Sequence, residues 1–560
     1  MKLRPNRSLG AAVAAMLILS GCPASEPNPT SITQVPGTGE PMATPANDVE
    51  ASAVPPDRVE QWGVWEWRID AANAGDVAAN LVAPDGRQIT VSAFSADGDE
   101  SLIRYRPDEP GMWRFDVDRA GVPLPGMEGS FFVEPSAGSN AIMSHGPVTV
   151  GDGAEWFEHA DGTPFMWIAD TAWSGALLSS SDDWDRYLTD RVSKGFTAIQ
   201  IVLTPWRAAP VNAEGQVAFS LDPEFTINYS FFERIDQRIA AANRAGLLVI
   251  PVLLWANGDG PLAAPGQLPA PDAIQLARYL VARYSAYHVV WLLGGDVSLA
   301  GGSASRWGQI ARAVFDDSQQ VVGMHPVGRE WAYGELENDD WLSFYGYQSG
   351  HGDSDEALEW IHHGPQTMSL GQRPVVNLEL PYEGHLSYDH GVPLDAHAVR
   401  RAAYWSVLST PTAGVSYGAH GVWSWQTIPA EPTGHAGAGI AQPWHEAIDL
   451  PGSGQMGYLA AVLRDVEWWT LKPAQELLDE QPGTGDPALH IAVASTATGD
   501  VIAYAPRGGT IKLRQIDPID AFRASWVDPR TGAVSAAEPV ADGHYETPDD
   551  GDWVLVLKRP

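Results

Sequence analysis

The sequence predicts an α/β fold: a (β/α)8 TIM barrel flanked by an N-terminal β-sandwich and a C-terminal β-sandwich domain. Three observations predict it. From about Ile142 to Pro473, buried-type strands alternate with segments at helical spacing, eight strand–helix pairs in about 330 residues. Before them, Gln61 to Glu134 is a set of short, partly alternating runs separated by turn residues. After them, from Asp486, the same β pattern returns. With 560 residues the chain is too long for one core. The boundaries read as a leader over 1–21, a linker over 22–57, the first sandwich over 58–136, the barrel over 140–475 and the last β domain over 485–560.

The leader has a basic start at Lys2, Arg4 and Arg7 and an apolar run from Leu9 to Leu19, too short to span a bilayer as a mature helix. It ends in Leu19-Ser20-Gly21-Cys22, which resembles a bacterial lipoprotein cleavage box, so the expected protein is exported and lipid-anchored through Cys22 at the outer membrane or cell surface. Cys22 is the single cysteine, which rules out an internal disulfide. The linker, rich in Pro, Ser, Thr, Ala and Gly, cannot bury a core. The formal charge of −36 would repel phosphates and speaks against a nucleic-acid partner.

In the first sandwich, Pro84-Asp85-Gly86, Asp97-Gly98 and Pro110-Gly111 mark turns, and Trp62, Trp65 and Trp67 read as core. In the barrel, strand one is Phe165 to Trp173, and Ser181 is placed to cap a helix carrying Trp184, Tyr187, Leu188 and Val192. Strand two is Phe196 to Trp206. A helix from Tyr229 to Ala245 leads to strand three, Leu247 to Trp255, and one from Asp272 to Tyr287 leads to strand four, Val289 to Asp296. A helix from Arg306 to Asp317 precedes strand five, Val321 to Pro326; strand six is Trp341 to His351. Glu356 to His363 is helical, Arg373 to Glu379 is strand seven, Ala396 to Leu408 is helical, Gly414 to Trp425 is strand eight, and Met456 to Trp469 is the last helix.

Barrels of this class keep their chemistry at the carboxyl ends of the strands. There the chain collects Asp170 and Trp173, then Gln200 and Trp206, then Trp255, then Asp296. Strand five gives His325 and, just after it, Arg329; strand six gives Tyr347, Gln348 and His351; strand seven gives Glu379, then Tyr382, Glu383 and His385; and strand eight gives Trp423 and Trp425. Aromatic walls with polar groups between them suit sugar rings, which have apolar faces and polar edges. Two acids at the ends of strands four and seven face each other across the mouth, the arrangement that glycoside hydrolysis uses. Glu379 is preferred to its rival Glu383 by strand parity: Val375, Asn377 and Glu379 alternate onto one face, expected to look into the mouth, whereas Glu383 lies beyond Pro381. Glu383 is expected to orient a substrate hydroxyl or hold Arg329. No metal spacing or phosphate loop is present, so no cofactor is expected, and His362-His363 reads as a solvated helix end.

The runs FMWIADTAW, HVVWLLGGD, HPVGR with WLSFYGYQSGH, and NLELPYEG resemble the apiosidase-like family of glycoside hydrolase barrels, and WVDPRTG…DWVLVL is similar to a collagen-binding-type β module that accompanies them. The resemblance implies Asp296 as general acid/base, Glu379 as nucleophile, and Asp170, Gln348 and His351 lining the subsite. An Asp-bearing GlyGlyAsp stands where related barrels carry Asn-Glu. The expected function is a retaining glycoside hydrolase acting on polysaccharide or oligosaccharide side chains. The competing reading is a non-catalytic glycan-binding surface lipoprotein; a collagen-directed or proteolytic role would rest on the last module alone. Oligomeric state is not legible.

Overall fold

The computed structural model describes residues 54–559, apart from 71–73, 97–99, 301, 317, 332, 366–371, 412, 515–521 and 542. The expected leader, Cys22, most of the linker and the Asp97-Gly98 turn lie outside the described residues.

The first domain packs a five-stranded sheet, in the order Arg58–Glu60, Val122–Glu134, Gly111–Arg119, Val77–Val82 and Gln88–Ser92, against a three-stranded one of Trp65–Asp70, Glu100–Tyr105 and Phe94–Ser95. Strict alternation along Trp65–Asp70 turns Trp65 and Trp67 into a core with Trp113, Phe115 and Phe131, and Trp65 stacks on Phe131 at 4.7 Å. Trp62 lies outside this core: its ring lies against Gly146, next to the barrel. Arg104 and Arg106 dock the domain. Arg104 reaches Asp236 at 2.6 Å and the carbonyl of Arg283 at 3.1 Å, and Arg106 donates to the carbonyl of Tyr287. Both carbonyls lie at or just past a helix C-terminus, where cations are favoured.

Eight strands form the barrel sheet: β1 Trp167–Thr171, β2 Ala198–Val202, β3 Leu248–Trp255, β4 Trp291–Gly295, β5 Val322–Gly323, β6 Tyr345–Gln348, β7 Val375–Glu379 and β8 Gly414–Tyr417. They pair in parallel in the order 5-4-3-2-1-8-7-6 and are buried throughout, as strands covered on both faces must be. Around them lie α1 Ser181–Ser193, α2 Phe232–Arg244, α3 Ala270–Tyr284, α4 Ser303–Phe315, α5 Asp355–His363, α6 Ala396–Ser409 and α7 Pro451–Arg464. Ser180, not Ser181, caps α1, accepting from the amide of Asp183 at 3.1 Å. The buried face of α1 is Trp184, Tyr187, Leu188 and Arg191; Val192 points to solvent. At the end of α5 the expected solvated pair holds only for His363, since His362 is buried.

The expected eighth helix is absent among the described residues: β5 and β6 are joined by a single 3-10 turn, Tyr333–Glu335. These two strands also share no ladder. Ser343 and Tyr333 close the seam: the Ser343 amide donates to the Val322 carbonyl at 2.8 Å, and its hydroxyl accepts from the Val322 amide at 3.1 Å. Tyr333 acts through its hydroxyl, which donates toward the carbonyls of Gly346, at 2.7 Å, and Met324, at 3.1 Å, and accepts from the amide of Gly346 at 3.1 Å. Glycine is needed on both lips. A methyl on Gly346 would lie 2.3 Å from the Met324 carbonyl, and one on Gly323 2.4 Å from the ring of Phe344. Strands six and eight are shorter than expected; Trp423 and Trp425 lie in turns beyond β8.

The last domain is a six-stranded antiparallel sheet with a separate two-stranded ladder. One face packs on the barrel, with Ile502, Tyr504, Val554 and Val556 continuing the barrel core. Tyr404 of α6 stacks on Tyr504 at 4.6 Å, and Arg400 grips Asp552 through two bonds of 2.9 and 2.7 Å. No described helix is long and apolar enough to cross a membrane.

Candidate active site

A cavity of about 350 Å³ opens at the carboxyl ends of the strands. All its lining residues fall between Trp173 and His435, so neither flanking β domain contributes.

Two acids line it. Asp296 directly follows β4 with a left-handed φ of 51°. Non-glycine residues hold such a backbone only when their surroundings impose it. Here Trp255 leaves room beside the chain for nothing larger than glycine: a methyl on Gly295 would lie 2.4 Å from its ring. Asp296 Oδ1 accepts from Gln348 Nε2 at 2.9 Å and Oδ2 from Arg207 Nη2 at 3.0 Å. Burial, then the charge of Glu379, push its proton affinity up, against Arg207, His325 and Gln348.

Glu379 ends β7. Its Oε2 accepts from the Tyr382 hydroxyl at 2.5 Å, and that hydroxyl accepts from Trp173 Nε1 at 2.9 Å. The Tyr382 amide donates to His351 Nδ1 at 3.2 Å, which leaves Nε2 of the neutral ring protonated and donating to Glu379 Oε1 at 3.0 Å. His325 stands between the acids, Nδ1 3.9 Å from Asp296 Oδ1 and Nε2 3.5 Å from Glu379 Oε2. Burial alone would raise the Glu379 carboxyl, but His325 and His351 together hold it well below the usual carboxylate range.

The walls are aromatic. Trp206 and Trp255 meet edge to face at 4.5 Å, Trp173 meets Trp255 at 5.5 Å, and Trp423 stacks on Tyr382 at 5.9 Å. Arg329 lines the rim with a left-handed φ of 59°. His385 is kept neutral by burial, its affinity lowered to about 2, and burial likewise lowers His435 to about 4.

Of the expected site residues, Asp296, Glu379, Trp173, Trp206, Trp255, Arg329, Gln348, His351, Tyr382, His385 and Trp423 line the cavity. His325 sits behind them, against both acids. Five do not reach the cavity. Asp170 faces the helices, clamped by Tyr187 at 2.6 Å and Arg191 at 2.8 Å, which explains the charge on the buried face of α1. Gln200 is spent inside the barrel on Leu378 O, Thr171 and Ser416. Tyr347 packs outward against Trp360. Trp425 stacks on Trp444 at 4.6 Å. Glu383 lies away from the cavity lining and does not pair with Arg329: it accepts from Tyr417 at 2.6 Å and from the amide of Gly452, at the start of α7, at 2.9 Å, an anion on a helix N-terminus.

The parity argument also fails in its premise. Asn377 turns to the helical layer, bonding Ser406 of α6 at 3.0 Å. The register slips by one residue at Leu378, so that Gln348 pairs with Glu379, and this bulge turns Glu379 to the mouth. Sequence reading missed Arg207, Asn257, Tyr388 and His435. Arg207 follows the expected end of strand two by one residue and Asn257 the end of β3 by two, so both were within reach of the same rule; His435 arrives on a long loop that no period marks.

Residues 152–470 match the family described as "Apiosidase-like, catalytic domain", and residues 472–558 match "Putative collagen-binding domain of a collagenase". No curated protein sequence matches the chain. Among solved structures, one described as a glycoside hydrolase shares 21% identity at a TM-score of 0.66, over 74% of this chain and 97% of its own. A glycoside hydrolase family 5 protein from Bacteroides vulgatus shares 20% identity at a TM-score of 0.65, over 74% of this chain and 93% of its own. At these identities the structures speak for the fold, which they share with this barrel. The family match covers more than half of the chain, and on it the chain belongs to the apiosidase-like family and carries its glycoside hydrolase catalytic domain.

Proposed function

We propose that the protein is a retaining glycoside hydrolase in which Glu379 is the nucleophile and Asp296 the general acid/base. The observation that carries this reading is the opposite protonation bias of two carboxyls facing one cavity. Burial and a neighbouring negative charge favour the protonated form of Asp296, as a resting acid requires, while His325 and His351 favour ionised Glu379, as a nucleophile requires. In the first step Glu379 attacks the anomeric carbon and Asp296 gives its proton to the departing oxygen. In the second, Asp296 takes a proton from water as that water displaces Glu379. Tyr382 and His351 hold the nucleophile, and Arg207 and Gln348 hold the acid/base. A cavity near the small end of the ~300–1,000 Å³ range of ligand sites suits a terminal sugar of a side chain.

Alanine at either position should cost about a thousandfold in kcat/KM, ~4 kcal/mol. With an aryl glycoside and azide, Asp296→Ala should yield the glycosyl azide of retained configuration and Glu379→Ala the inverted one, read by proton NMR. Near-wild-type turnover of Glu379→Ala would sink the assignment. From the Leu19–Cys22 run we further propose that the protein is exported and anchored by lipid on Cys22. A fatty-acid analogue fed to expressing cells should label wild type and leave Cys22→Ala unlabelled, and equal labelling of both would contradict the anchor.

A further inference from the structure

One aromatic residue of the cavity is unlike the rest. Trp173, Trp206, Trp255, Tyr382 and Trp423 are at most 3% exposed, whereas Tyr388 lines the same cavity and is 58% exposed. The acids lie deep, the side chain of Glu379 8% exposed and that of Asp296 12%. A terminal sugar held between them fills the floor of the cavity. Whatever departs with the cleaved oxygen then lies at the mouth, where Tyr388 stands.

The ring of Tyr388 is held in place. Its amide donates to the His351 carbonyl at 2.9 Å. In the next residue, the Asp389 carboxylate accepts from the amides of Asp353 and Ser354 at 2.9 Å each, which ties the turn to the start of α5. The ring meets His385 at 5.0 Å and His351 at 5.8 Å, both edge to face. It leans over the cavity, since both acids and Arg207 act on its hydroxyl: burial, then the charge of Glu379, raise its proton affinity, and Asp296 adds to this against Arg207. A ring fixed in this way loses little freedom when another ring stacks on it. Arg329 stands on the same lip. The Asp389 carboxyl is held low by bonds from Ser354 and Asp353 and then by the charge of Arg329.

Resting on the assignment of Glu379 and Asp296, we propose that Tyr388 is the platform of a leaving-group subsite, and that the departing group is itself a sugar. Its apolar face stacks on the ring, and Arg329 donates to the hydroxyls at its edge. The contact lasts until the glycosidic bond breaks and is gone when water attacks the glycosyl-enzyme. It therefore acts on kcat/KM, and on kcat only where the first step is the slow one.

The test uses the full chain and one terminal sugar, that of an aryl glycoside which the wild type hydrolyses. Its glycosyl fluoride and its disaccharides form a matched set, because fluoride leaves nothing to stack. In Tyr388→Ala the ratio of kcat/KM for the disaccharide to that for the fluoride should fall about tenfold, and in Tyr388→Phe it should return to the wild-type value. Arg329→Gln should lower the same ratio. A ratio unmoved by Tyr388→Ala overturns the proposal. So does an equal fall on both substrates, which would mean that Tyr388 only steadies His351 and, through it, Glu379. A ratio that stays low in Tyr388→Phe would move the contact to the hydroxyl and overturn the stacking. One unmoved by Arg329→Gln would overturn the sugar in favour of a flat aromatic leaving group. A wild type inert toward every aryl glycoside would remove the hydrolase itself, a failure that shows before any Tyr388 variant is made.

Discussion

At Asp296 three neighbours pull on one proton. Burial and Glu379 raise its affinity, and Arg207, 3.0 Å from Oδ2, lowers it. With Asp296 protonated and Glu379 ionised in the working form, rate falls on the alkaline side as Asp296 ionises and on the acid side only where the strongly acidic Glu379 takes a proton. The two limbs belong to an interacting pair, so they report the pair's macroscopic behaviour. Arg207→Gln removes the guanidinium paired with Asp296. Its affinity then rises, and the alkaline limb of kcat/KM should move to higher pH while the acid limb stays. A limb that moves down, or stays put, would show that Arg207 does not govern this proton. The acids themselves were legible because each closes an apolar strand. Their environment was not: Arg207 sits one residue beyond a tryptophan that read simply as wall, and Asp170 looked like a site acid until Arg191 was seen to meet it from the buried face of α1.

At the scale of elements, the strands were legible as apolar runs closed by glycine or an acid, and helices α1 to α4 and α6 as periodic faces with caps or glycine stops. Two irregularities were not. A bulge at Leu378 changes no residue type, yet it decides which way Glu379 points. The join from β5 to β6 contains aromatic residues at no clear period, since their task is to fill a seam and not to form a helix face. Tyr333 carries that task through one hydroxyl. Tyr333→Phe strips partners from buried backbone groups on both lips, at a cost of about 1–3 kcal/mol, and should lower the urea midpoint with an unchanged m-value. A midpoint equal to wild type would mean that packing and the other bonds across the seam, such as Ser343 to Val322, close it without Tyr333.

Across the whole molecule the flanking domains act from outside. The first is fastened by Arg104 and Arg106 to helix C-termini, and the last by Arg400, Tyr404 and a shared core. Their existence was legible from turn spacing, but their docking was not, because nothing in the sequence around an arginine names the distant carboxylate or carbonyl that it meets. The seam matters most at this scale. Asp296 belongs to β4 and Glu379 to β7, so the missing ladder between β5 and β6 runs between them on the short way round. The Gln348–Asp296 bond and the bond from the Arg329 amide to the Gln348 carbonyl stitch across that line. An ordinary closed barrel holds its reacting groups on a continuous hoop. This one holds them on either side of a seam that single bonds close, Ser343 to Val322, Tyr333 to both lips and Gln348 to Asp296, so the spacing of nucleophile and acid is set by side chains where a ladder would otherwise set it.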